Sequence, residues 1–196
     1  MHTRRLLTGL GGAVLLAAAV LSAPQANAAQ IIGQIIGQTW APAGACAYND
    51  LALVEVDAGD VGKVNPSIPF WGGPTGIDTD GTAVGDRVWT YGNSSLRFGV
   101  SQLSPHTGIS LGDDAADGGW SHPLYTVTPG VPGDSGSAFV SEGGLAIGTL
   151  STLGLAPQPA SNNIGDLGME LAFAQSHSGI GGLQLVHGTE PFDPVL

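Results

Sequence analysis

The chain has 196 residues, among them 32 glycines and 13 prolines, and a formal net charge of −11. That balance argues against nucleic acid or an anionic membrane as a partner, and 42% hydrophobic against 11% charged residues excludes a disordered chain. Short apolar runs between Gly and Pro point to an all-β protein with many turns.

Residues 1–28 read as a signal peptide. Arg4 and Arg5 form a basic start, Leu6 to Leu21 is apolar, and Ala26-Asn27-Ala28 has the small-x-small pattern of a cleavage site. The apolar run is shorter than the roughly 20 residues that span a bilayer, and it contains Gly9, Gly11 and Gly12, so a membrane anchor is disfavoured. Thr3-Arg4-Arg5-Leu6-Leu7 also resembles a twin-arginine export signal. Without this leader three basic residues face sixteen acidic ones, a net charge of −13, which suits a soluble extracellular protein. Cys46 is then a lone cysteine in an exported chain, where thiols usually pair.

Gln30 to Gln38 reads QIIGQIIGQ, a short tandem repeat that is either an edge strand or the scar of two joined segments. Leu51 to Val56 reads as a mostly buried strand, followed by a turn at Asp57 to Asp60. Asn65 to Thr75, rich in Pro and Gly and carrying Phe70 and Trp71, reads as a connector packed on a core and as the link between two domains. Strands are expected at Ala83–Tyr91, Leu96–Leu103, Leu124–Thr128, Ser137–Val140 and Leu145–Ser151, the spacing of a small antiparallel barrel or sandwich. Asp166 to Gln175 reads as a helix, with Leu167, Leu171 and Ala174 on one face and Asp166 at its N-cap.

The chemistry centres on Gly133-Asp134-Ser135-Gly136, a Gly-flanked turn between two expected strands, where backbone N–H groups can converge on an oxyanion. It continues as Ser137-Ala138-Phe139-Val140 and then reaches Gly148-Thr149-Leu150-Ser151. Upstream, Asp50-Leu51-Ala52-Leu53 opens a strand 85 residues before the serine. These motifs, in this order, resemble the chymotrypsin-like (trypsin-like) serine proteases, in particular their secreted bacterial branch, over roughly residues 46 to 180. The resemblance implies an all-β chymotrypsin-like antiparallel barrel with a C-terminal helix. By it, Ser135 is the nucleophile, Asp50 the buried carboxylate that orients a histidine, and Gly133 and Ser135 the oxyanion donors. Thr149, Leu150, Ser151, Thr152 and Leu153 would form the strand that pairs with substrate, and the base of the primary pocket would fall at Pro129.

One part of the family pattern is absent. The Ala-Ala-His-Cys motif that carries the catalytic base has no counterpart, and its nearest likeness, Ala43-Gly44-Ala45-Cys46, has alanine at the histidine position. About 20 residues between cleavage site and Asp50 cannot build most of a six-stranded barrel with strands of 5 to 6 residues. The expected organisation is therefore a leader at 1–28, a remnant of the first barrel at 29–72 and a complete second barrel with its helix at 73–196. His106, His122, His177 and His187 read as surface residues, with His122 the nearest substitute for the base. An order of Ser135, Asp166 and His177 or His187 would mimic an α/β-hydrolase, but Gly-x-Ser-x-Gly fails at Ser137.

The acidic loops Asp78–Gly81 and Asp113–Asp117 lack the spacing of a calcium loop, so no metal and no cofactor is expected. The function implied is a secreted serine endopeptidase, a monomer acting on polypeptides. Three alternatives stay open: an inactive homologue, a fragment of a gene model, and a secreted binding module that uses the barrel as a scaffold.

Overall fold

The computed structural model describes residues 33–38, 49–154 and 158–195. Residues 1–28, which read as a leader, and the Ala43–Cys46 likeness with Cys46 lie outside the described residues. Two sheets are present. In the smaller, β1 (Gly33–Gln38) pairs antiparallel with β2 (Ala52–Val56), so the second half of the QIIGQIIGQ repeat is a strand.

The larger sheet joins β3 (Gly76–Ile77), β4 (Val84–Tyr91), β5 (Pro105–Leu111), β6 (Ser121–Thr126), β7 (Ala138–Ser141), β8 (Leu145–Leu153) and β9 (Asn162–Asp166). Its order is β3-β8-β7-β4-β5-β6-β9, and β9 returns to pair with β8. Six antiparallel strands thus close a barrel, which removes the exposed edges that an open sheet would leave. The short β3 adds a parallel pair outside it. The chain is mostly β with a C-terminal helix, α1 (Leu167–His177), which is the architecture the chymotrypsin-like resemblance implied.

Inside the barrel Val88, Leu124, Phe139, Ile147, Leu150 and Ile164 form one apolar cluster, supplied by alternate residues of five strands. A second cluster lies on its outer face, where Ile68 and Trp71 of the 65–75 connector pack on Trp89 and Val140. The C-terminal tail covers that cluster: Phe192 meets Trp89 edge-on at 5.6 Å, and the Asp193 N–H donates to the Trp71 carbonyl at 2.8 Å. A third cluster joins β2 to the barrel through Leu51, Leu53, Ala146, Leu167, Leu171 and Ala174. This contact fixes Asp50, two residues before β2, against helix α1.

The structure corrects four of the sequence expectations. Leu96–Leu103 is not a strand but two single 3₁₀ turns, Ser95–Arg97 and Ser101–Leu103, separated by Phe98 at φ 53° and Gly99 at φ 73°. The strand β5 begins after it, at a Pro-His pair that reads locally as a turn. A further strand, β9, runs directly into α1. Finally, β2 is only partly buried, with Leu53 and the preceding Leu51 inward, Val54 and Val56 half-buried, and Ala52 and Glu55 exposed. No described helix is long and apolar enough to cross a membrane.

Candidate active site

The 131–137 turn is tied in an alternating manner. The Asp134 N–H donates to the Val131 carbonyl at 2.9 Å, the Gly136 N–H to Leu150 at 2.8 Å and the Ser137 N–H to Asp134 at 2.9 Å. The N–H groups of Gly133 and Ser135 donate to no described residue. Gly133 (φ 97°) and Gly136 (φ 81°) take the left-handed conformations that let the chain reverse twice in four residues. The Ser135 side chain between them is exposed. Among the described residues none takes up its hydroxyl or the N–H groups of Gly133 and Ser135.

The turn is pinned from below by Asp134, which is only 2% exposed. Its Oδ1 accepts from the Ser94 N–H at 3.0 Å and from Arg97 Nε at 3.3 Å. Its Oδ2 accepts from the Val131 N–H at 3.0 Å and forms an ion pair with Arg97 Nη2. Arg97 is itself buried, and its Nη1 donates to the Leu103 carbonyl at 2.7 Å. Ser94 completes the clamp by donating its hydroxyl to the Pro132 carbonyl at 2.6 Å. The segment whose pattern suggests a strand therefore supports the 131–137 turn.

Asp50 meets the barrel at β8. Its Oδ2 accepts from Ser151 Oγ at 2.8 Å, and its backbone N–H donates to Glu170 Oε1 at 3.0 Å. Ser151 reaches it because the β8–β9 register slips between Leu150 and Thr152, leaving Ser151 as the extra residue of a bulge. Contrary to the expected buried carboxylate, Asp50 is exposed. The contacts among described residues cover its backbone and one carboxyl oxygen and leave the rest open.

Of the expected substrate strand, Leu150 has both backbone groups engaged, with its N–H on the Ser137 carbonyl and its own carbonyl on the Gly136 N–H. Thr149 pairs with Ala138 on one side and Gly165 on the other. Thr152 and Leu153 pair with β9 alone, and the bulged Ser151 between Leu150 and Thr152 has no strand partner; among the described residues no strand pairs with the other side of Thr152 and Leu153. Pro129 is exposed, and the N–H of its neighbour Gly130 donates to Asn162 Oδ1 at 2.7 Å.

None of the four described histidines joins Asp50 to Ser135. His122 is 1% exposed rather than on the surface, and its two nitrogens lie 2.8 Å from Asp113 Oδ1 and 2.9 Å from Asp166 Oδ2. Burial acts to lower its pKa. The hydrogen bond and charge of Asp166, followed by those of Asp113, outweigh burial and raise it above the ordinary histidine value. A carboxylate on each nitrogen favours the imidazolium form, and neither nitrogen is free to serve Ser135.

His106 is also buried, at 8% exposure. Its Nδ1 lies 2.9 Å from Thr128 Oγ1, and burial, assisted by the Arg97 charge and opposed by Asp134, holds its pKa below the ordinary value. Its Nε2 is buried with no hydrogen-bond partner among the described residues, and the ring borders a small, mostly apolar cavity shared with Thr90, Asp134, Phe139, Leu150 and Asn162, with room for at most about one water. His177 and His187 are exposed, and His177 stacks on Phe173 at 4.0 Å.

Asp166 does two things at once, accepting from the Met169 N–H at 2.6 Å as the N-cap of α1 and holding His122. Asp166→Ala is therefore expected to cost about 1–2 kcal/mol as a lost cap, with a further loss from the orphaned His122 charge; chemical denaturation measures it, and His122→Gln in the same background should add little. The acidic loops use their carboxylates to close their own turns: Asp78 accepts from the Asp80 N–H, Asp114 from Ala116, and Asp117 from Gly119 and Trp120.

Sequence reasoning missed Arg97, Glu170 and the His122 bridge. Arg97 left one signal, as an isolated cation in an apolar run of a chain with five basic residues.

No family model matches the chain, and the curated proteins contain no match. Among solved structures the chain is similar to Rv3671c from M. tuberculosis H37Rv, crystallised as the inactive form of a serine-to-alanine mutant. The two share 11% identity over 77% of this chain and 68% of that one, with a TM-score of 0.49.

Proposed function

We propose that this chain is a secreted hydrolase of the chymotrypsin-like serine-protease class, with Ser135 as the nucleophile for peptide-bond cleavage. The observation that carries this reading is the alternation of bound and unbound amides around an exposed serine. Asp134, Gly136 and Ser137 have their N–H groups tied within the fold, while those of Gly133 and Ser135 are left for a developing oxyanion. In the reaction Ser135 Oγ bonds to the carbonyl carbon of a polypeptide, its proton passes to a base, and the amine departs with a proton. Water then cleaves the acyl ester by the reverse roles. Asp50, held by Ser151, is the orienting carboxylate.

The base is the missing member. His106, His122, His177 and His187 bond elsewhere or face solvent, and His2 lies in the leader. Loss of the base from such a triad lowers turnover on the order of 10⁶-fold. That observation favours a second reading, an inactive homologue that retains the barrel and its site as a binding scaffold.

A fluorophosphonate probe separates the two. Stoichiometric labelling that vanishes in Ser135→Ala supports the hydrolase. Folded protein that never labels, with or without added imidazole above Asp50, leaves the inactive homologue.

A further inference from the structure

Glu170 lies in the first turn of α1 with none of its surface exposed, on the same face as Leu167, Leu171 and Ala174. Glutamate is among the residues least often buried without a charged partner. No basic side chain among the described residues pairs with it. Its Oε1 accepts the Asp50 N–H at 3.0 Å, and its Oε2 is buried with no hydrogen-bond partner among the described residues. The carboxyl fills the space that a side chain at position 165 would need: a Cβ on Gly165 would stand 2.5 Å from Oε1. The fold has made room for this group at the end of β9.

The groups that face it are acidic. The loop before β2 brings Asp50 and the end of β9 brings Asp166, whose outer oxygen is held by His122. If α1 needed only to pack on the barrel, an apolar side chain of similar volume would do so at lower cost than a buried carboxyl. What an apolar residue cannot do is accept the Asp50 N–H.

We propose that Glu170 is a positioning residue for Asp50, working as a neutral carboxylic acid whose carbonyl oxygen fixes the Asp50 backbone while its proton keeps a second negative charge from beneath the Asp50 carboxyl. The inference rests on the reading of Asp50 as the orienting carboxylate. The path to the nucleophile is short. Asp50 holds Ser151, the neighbouring Leu150 carbonyl holds the Gly136 N–H, and Gly136 follows Ser135. Burial, joined by the charges of Asp50 and Asp166 and opposed by the Asp50 N–H, pushes the Glu170 pKa up to about 7. The arrangement is thus intact in mildly acid solution and strained above neutrality, when a third negative charge enters the cluster.

The test uses the full chain and two variants. In the first arm the Asp50 amide resonance is followed from about pH 5 to about pH 9; it should shift with a midpoint near 7 in the wild type and stay flat over that range in Glu170→Gln. In the second arm the rate of fluorophosphonate labelling at Ser135 is followed over the same range. The wild-type rate should fall above neutrality while Glu170→Gln holds its rate. Glu170→Leu should be slower by about tenfold at every pH, the equivalent of one lost hydrogen bond, with Glu170→Gln restoring most of it.

An Asp50 amide without an inflection near neutrality, or one that keeps it in Glu170→Gln, overturns the proposal. So does a Glu170→Leu variant that labels like the wild type. If folded wild-type protein never labels, the hydrolase reading falls, and the amide titration alone decides whether Glu170 holds Asp50 as a neutral acid.

Discussion

Asp134→Asn is expected to destabilise the fold by about 3–5 kcal/mol, the range seen when one partner of a buried ion pair is removed. In a chain of this size the melting temperature should drop by on the order of 10 °C. The carboxyl group is 2% exposed and takes four donors: the Ser94 and Val131 N–H groups and two nitrogens of Arg97. An asparagine offers one acceptor oxygen, so at least one amide loses its partner. The guanidinium, 8% exposed, would be left as an uncompensated charge.

The double variant Arg97→Met with Asp134→Asn should be less destabilised than the sum of the two singles, because the second change removes the charge that the first one orphaned. Under conditions where all variants remain folded, labelling at Ser135 should fall further than stability accounts for. The reason is local: Asp134 closes both halves of the turn, through its N–H on Val131 and its carbonyl on Ser137. Once its side chain is loose, nothing fixes the orientation of the amides at 133 and 135 that the proposed reaction uses. Denaturant melts of the four proteins check the first claim, and an Asp134→Asn protein within about 1 kcal/mol of wild type would contradict it.

What could be read from the sequence was whatever is encoded locally. The strands β4, β6, β7 and β8 and the helix capped by Asp166 carry apolar runs bounded by Gly, Pro or Asp, and each lies within a few residues of where the sequence places it. The failures share a different cause. Leu96, Phe98, Val100 and Leu103 look like a strand, yet Arg97 is drawn inward by a carboxylate 37 positions later, and the segment folds into turns around that ion pair.

The strand β9, Asn-Asn-Ile-Gly-Asp, has little apolar character; it is a strand because both of its edges are bonded, to β6 and to β8. His122 reads as a surface residue because nothing near it in sequence announces that Asp113 and Asp166 clasp it from two elements. Within the site, Asp50 and Ser135 were visible as motifs. The Ser151 contact depends on a bulge in β8, and the Glu170 contact on how α1 lies against the chain before β2. Both are products of tertiary packing, which no local pattern records.

Stability should depend on pH through Glu170, and the sign follows from which state holds the proton. With its folded pKa at about 7, above the ordinary 4.5, the native state binds more protons than the unfolded chain between those two values. Stability therefore falls as pH rises through that window, and the fall from this one group amounts to about 3 kcal/mol once both values are passed. His122, with a raised pKa, acts in the same direction: its contribution is complete below its unfolded value and is lost as pH rises through the folded one. His106, held below the ordinary value, acts oppositely and loses its contribution as pH falls through its folded pKa. Asp113, held below the ordinary carboxylate value against burial by Thr82 and His122, withdraws its contribution as pH falls through its folded pKa.

The comparison of wild type with Glu170→Gln removes the other three from the balance, since they are common to both proteins. The glutamine keeps a carbonyl oxygen for the Asp50 N–H and cannot ionise. The difference in unfolding free energy between variant and wild type should accordingly shift in favour of the variant by about 3 kcal/mol from acid to neutral solution and then level off. Denaturation at a series of pH values measures that difference. A constant offset across the series would mean that Glu170 ionises in the folded protein much as it does in the unfolded chain, leaving two acidic groups side by side under the β2 edge with no proton between them.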